Sequence, residues 1–64
     1  MTPDQFKEAR QLLGLSPLQA APLLGFTNRS RIYEIEAGNA GVSKPVALLM
    51  RAYLDGYRPD GWPE

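Results

Sequence analysis

Prolines and glycines cut this chain into short pieces, and each piece opens and closes in the manner of a helix. Thr2-Pro3-Asp4, Ser16-Pro17 and Ser43-Lys44-Pro45 each set a hydroxyl just ahead of a proline. The hydroxyl oxygen can accept from one of the first unpaired backbone N–H groups, and proline fits the first helical turn, where its missing N–H is no loss. Asp4 adds an acid at the favourable end of the helix dipole. Gly14, Gly25 and Gly56 stand at the other ends, and glycine supplies the left-handed residue that commonly closes a helix. These brackets predict helices from Thr2 to about Gly14, over roughly 17–24, and over 43–55.

Inside the brackets the apolar residues recur at helical spacing. Phe6, Ala9 and Leu13, helped by Leu12, form a stripe with Lys7, Glu8 and Gln11 outside it. Ala20, Ala21 and Leu24 share a face, and Leu15 plugs the corner between the first two helices. Between Gly25 and Gly38 a further helix is predicted, with Thr27 or Asn28 as cap and Ile32 and Ile35 pointing inward. In the last helix Val46, Leu49, Met50 and Tyr53 make an i, i+3, i+4, i+7 stripe that Leu48 and Leu54 widen. That helix either lies centrally in the core or shows a second face to a partner. The expected fold class is all-α, a compact bundle of four to five short helices forming one domain over 1–64. Its expected core is Phe6, Leu13, Leu15, Ala21, Leu24, Ile32, Ile35, Leu49 and Tyr53. Asn39 to Val42 reads as a loop, and residues 57–64 as an irregular tail. Pro22 falls inside the second helix, which should be kinked or tightened there. Leu18 and Leu23 are apolar where a solvated face is expected, either as scattered surface leucines or as part of an interface.

A chain of 64 residues buries only about 60% of its unfolded surface. With no cysteine and no histidine it has no disulfides, and a metal site lacks its usual ligands. Catalysis without those side chains needs paired carboxylates in a cleft, for which a domain of this size has little room. No enzyme activity, cofactor, metal or small-molecule substrate is expected. No run of about 20 apolar residues occurs, nor a basic region followed by an apolar segment at the start, so a cytoplasmic protein without a membrane partner is expected. Formal net charge is zero. Its distribution is uneven: Arg29, Arg31, Lys44 and Arg51 face only Glu34 and Glu36 in the middle of the chain, while Asp4, Glu8, Asp55, Asp60 and Glu64 lie towards the ends.

Taken together, Arg10, Leu15-Ser16, Ala21, Gly25, Ile32, Ile35, Glu36 and Gly38 are similar to the pattern of the lambda-repressor/Cro-type (XRE-like) helix-turn-helix family. The likeness covers Thr2 to about Leu54. It implies a helical domain whose second motif helix enters the DNA major groove. It also implies an internal ion pair between Arg10 and Glu36. Pro17 replaces the glutamine the family often has at the first motif position, and the turn after Gly25 is one residue longer than usual.

Mapped position by position, the resemblance puts Arg29, Ser30 and Tyr33 at the groove floor, with Arg31 and Glu34 flanking them. Arginine pairs with guanine, serine is permissive, tyrosine meets a thymine methyl or a phosphate, and Glu34 can accept from a cytosine amino group. Thr27 and Asn28, with the helix N-terminus, are expected to hold a phosphate, and Lys44 to reach the backbone from the next loop. One recognition helix covers few base pairs, so a homodimer on a two-fold double-stranded DNA operator is expected. Its interface is expected at Met50, Leu54, Tyr57 and Trp62, where there are more apolar side chains than a small core needs. Tyr57 and Trp62 either fold back onto their own domain or cap a partner subunit. By analogy the protein is a transcriptional regulator, a repressor of phage or mobile-element type that can act on its own operon. The neutral charge and exposed apolar residues also fit a second class, a helical protein-interaction module of antitoxin or adaptor type.

Overall fold

A computed structural model describes residues 1–63; Glu64, the last residue of the expected irregular tail, lies outside them. Four helices, α1 (Pro3–Leu12), α2 (Pro17–Leu23), α3 (Ser30–Glu36) and α4 (Lys44–Leu54), make up the fold, and no strand occurs among the described residues. Three begin on the hydroxyls expected of them. Thr2 accepts from the Gln5 N–H while the Gln5 side chain accepts from the Thr2 N–H. Ser16 and Gln19 form the same reciprocal box, and the Ser43 hydroxyl accepts from the Val46 N–H. Each box satisfies two of the donors that a helix start leaves open.

The four ends are alike as well. After α2 the Phe26 N–H reaches back to the Ala21 carbonyl at 2.9 Å and the Gly25 N–H to the Pro22 carbonyl at 3.2 Å. That pair of bonds needs a left-handed residue between them, and Gly25 has φ +81°. The same pair recurs at Gly14 with Leu15, Gly38 with Asn39, and Gly56 with Tyr57. Pro22 is one residue from the end of α2. There the last turn is tightened: the Leu24 N–H is shared between the carbonyls of Ala20 at 3.1 Å and Ala21 at 3.2 Å.

α3 packs against both α1 and α2, and α4 lies against α1. The core is Phe6, Ala9, Leu15, Ala20, Ala21, Leu24, Ile32, Ile35, Val46, Met50 and Tyr53. This corrects the expected list: Leu13 and Leu49 are half-buried at its margin, and Ala9, Ala20, Val46 and Met50 belong to it. Val46, Met50 and Tyr53 follow one another at i, i+4, i+7, which leaves Leu49 at the edge of that stripe. Leu23 also packs against the core, whereas Leu18 is exposed.

Arg10 is the buried charged residue of the fold. Its Nε donates to Glu36 Oε2 at 2.7 Å and Nη2 to Oε1 at 3.0 Å, a two-pronged pair joining α1 to the end of α3. Nη1 donates to the Leu15 carbonyl at 2.9 Å, which ties in the corner before α2. The hydrogen bonds to Glu36 raise the arginine's pKa further, burial opposes the rise, and the carboxylate charge adds to it.

The tail returns to the body. Trp62 meets the Tyr53 ring edge-on at 5.1 Å between centroids, and the Arg58 guanidinium lies 4.2 Å above the Trp62 ring. Arg58 Nη1 also donates to the carbonyls of Tyr53 and Tyr57, closing the C-terminal end of α4. The Cα radius of gyration, 10.6 Å, matches the value of about 10.6 Å for a compact chain of this length, as a docked tail requires. No helix among the described residues is long and apolar enough to cross a membrane.

Candidate nucleic-acid interface

The outer face of α3 is set by what its inner face does. Ile32 and Ile35 are fully buried, and so are the small Ala20 and Ala21 of α2, the helix packed against α3. With the inner positions occupied, Arg29, Ser30, Arg31, Tyr33 and Glu34 are all exposed. Arg31 and Glu34 make a solvated ion pair at 3.7 Å, a contact of small energetic weight. Arg29 has no carboxylate partner among the described residues. Its charge is therefore open to an anionic ligand.

The start of α3 departs from the other three. Its first residue follows Arg29, which makes no side-chain cap bond, and Thr27 does not cap it either. Asn28 does part of that work, its Oδ1 accepting from the Ser30 N–H at 2.9 Å. Thr27, Asn28, Ser30, Arg31 and Glu34 together line an open depression of 420 Å³ between the turn and the helix. Arg29 and Tyr33 lie outside its lining, and so does Lys44, which is exposed at the first position of α4.

The expected dimer residues divide. Met50 is corrected outright: at 1% exposure it is a core residue, because it lies in the middle of the inward stripe of α4. Trp62 is half-buried against its own Tyr53, so the fold-back alternative describes it. Tyr57 remains exposed while stacking on Tyr53, with centroids 6.0 Å apart and planes 4° from parallel. Leu54 is exposed at 40%.

Two features escaped the sequence reading. The glutamines that complete the caps, Gln5 and Gln19, stand three residues after Thr2 and Ser16, a spacing that announces a capping box. Arg58 carried no such signal, since its role depends on where the tail turns. Among the described residues no cluster of acidic side chains is placed to hold a metal ion. Comparison of the chain with protein-family models, with curated proteins and with solved structures finds no match.

Proposed function

We propose that the domain is a sequence-specific double-stranded DNA-binding regulator, a repressor that occupies a two-fold operator as a homodimer, with α2, the Gly25 turn and α3 acting as a helix-turn-helix. The observation that carries this reading is the division of α3: Ile32 and Ile35 buried, and Arg29, Ser30, Arg31, Tyr33 and Glu34 all exposed along one outer surface. A helix held so by its inner face presents a stiff row of polar side chains, which is what reading base edges in the major groove requires. Thr27, Asn28 and Lys44 then serve the phosphates.

Selection of bound sites from random DNA supplies the operator, and two variants separate the roles. Arg29→Ala should cost about 1–3 kcal/mol and relax preference at one base pair of each half-site. Lys44→Ala should weaken all sequences alike and reduce the salt slope by about one unit for each copy bound. Lys44 from two copies neutralises about two phosphates, so log K should fall with log salt at a slope near −2. If Arg29→Ala binds the selected operator as tightly and selectively as the parent at matched salt, the reading fails. The interaction-module alternative is favoured by exposed apolar side chains on α1 and α4, and binding that ignores salt would move it ahead.

A further inference from the structure

The shared ending of the helices leaves the carbonyl of the last helical residue over each time. In α2 the carbonyls of Ala20, Ala21 and Pro22 accept from the N–H groups of Leu24, Phe26 and Gly25, which leaves that of Leu23 open. No backbone N–H reaches it among the described residues, and the Tyr53 hydroxyl, 30 residues along the chain on α4, donates to it instead. The corresponding carbonyls of α1, α3 and α4, those of Leu12, Glu36 and Leu54, receive no donor from the described residues. Only α2 has its last carbonyl taken.

The helix singled out in this way is the one that leads into the Gly25 turn and α3. Extensive packing joins α1 with α3, α2 with α3 and α1 with α4, but not α2 with α4. Among the described residues the Tyr53 hydroxyl makes the hydrogen bond between α2 and α4. The donor is itself held in place. Tyr53 is 3% exposed, Trp62 meets its ring edge-on, Tyr57 stacks on it, and Arg58 donates to its carbonyl. A hydroxyl on a fixed ring holds its acceptor to one direction, whereas water would follow the carbonyl as it moved.

We infer that Tyr53 is a positioning residue of the helix-turn-helix: its hydroxyl fixes the end of α2, and with it the angle at which α2 and α3 are presented to DNA together. In that motif the first helix crosses the DNA backbone while the second reads bases, so their relative tilt decides whether both sets of contacts form at once. The inference rests on the DNA-binding reading for this consequence. Tyr53→Phe keeps the ring and removes the hydroxyl alone, and well below its melting temperature it should keep the parent's circular dichroism. Under those conditions amide exchange at Gly25 and Phe26 should quicken about fivefold relative to Gly14 and Leu15, which make the same pair of bonds at the end of α1. Operator binding at matched salt should weaken about fivefold, because a smaller share of the free protein has the binding-ready arrangement, while binding to unrelated DNA, carried by phosphates, changes less than about twofold. A parent that selects no operator removes the DNA reading and this inference together. With an operator in hand, three results overturn the inference alone: Tyr53→Phe binding it as tightly as the parent, operator and unrelated DNA weakening alike, or exchange at Gly25 and Phe26 quickening no more than at Gly14 and Leu15.

Discussion

Arg10 holds three acceptor atoms on two other parts of the chain, and the energetic consequence is asymmetric. Removing one partner strands a charge that is already out of water. Glu36→Gln is expected to cost about 3 kcal/mol, the low end for a buried pair because roughly a tenth of each side chain still meets solvent. In a domain whose whole stability is only some 3–9 kcal/mol, urea denaturation should show a much earlier midpoint. Arg10→Met with Glu36→Leu should recover most of that loss, since an apolar pair leaves no charge behind. Tyr53 sets a second condition. Burial pushes its phenol above the ordinary value of 10.0, and the neighbouring Tyr57 adds to the rise. A group whose pKa is higher folded than unfolded lends stability that is complete below the unfolded value and is lost as pH climbs through the folded one. Stability should therefore decline above about pH 10. Tyr53→Phe should flatten that decline, at a cost of about 1 kcal/mol at neutral pH for the bond its hydroxyl donates to the Leu23 carbonyl.

At the scale of the element, the helix stops are the parts to test. A Cβ on Gly25 would meet nothing within 4 Å, so the cost of Gly25→Ala lies in the backbone alone. With φ at +81° that cost should be about 1–2 kcal/mol, read from thermal melting, and Gly25→Asn should be milder because asparagine tolerates the left-handed region. These stops, and the hydroxyl starts, were legible in the chain because they are local: the residue that makes the conformation is the residue that adopts it. The beginning of α3 was less so. Thr27 and Asn28 both suit a cap, and only the closed turn shows Asn28 bonding the Ser30 N–H while the helix begins beyond Arg29. The misassignment of Met50 has a different origin. Apolar residues occupy two sides of α4, and periodicity alone does not say which side meets the body, since that depends on the placement of α1. The exposed face of α3 was readable because Ile32 and Ile35 leave only one inward direction. The depression beside it joins residues from the turn and the helix, and no spacing rule foretold it.

At the scale of the whole molecule, the tail is a structural part of the domain. Trp62→Ala removes an edge-on aromatic contact, a cation over its ring and a half-buried side chain. It should cost about 1.5 kcal/mol and lower the melting temperature by about 10 °C. The contact it makes has an optical consequence. Trp62 is the sole tryptophan, and the tyrosine it touches donates its hydroxyl to the end of α2. Its emission thus reports, without any label, on a joint between the C-terminus and the helix next to α3. Undocking the tail would move that emission to longer wavelength while the far-ultraviolet helical signal persisted, and global unfolding would move both together. A single cuvette can therefore distinguish a loosened tail from a lost fold.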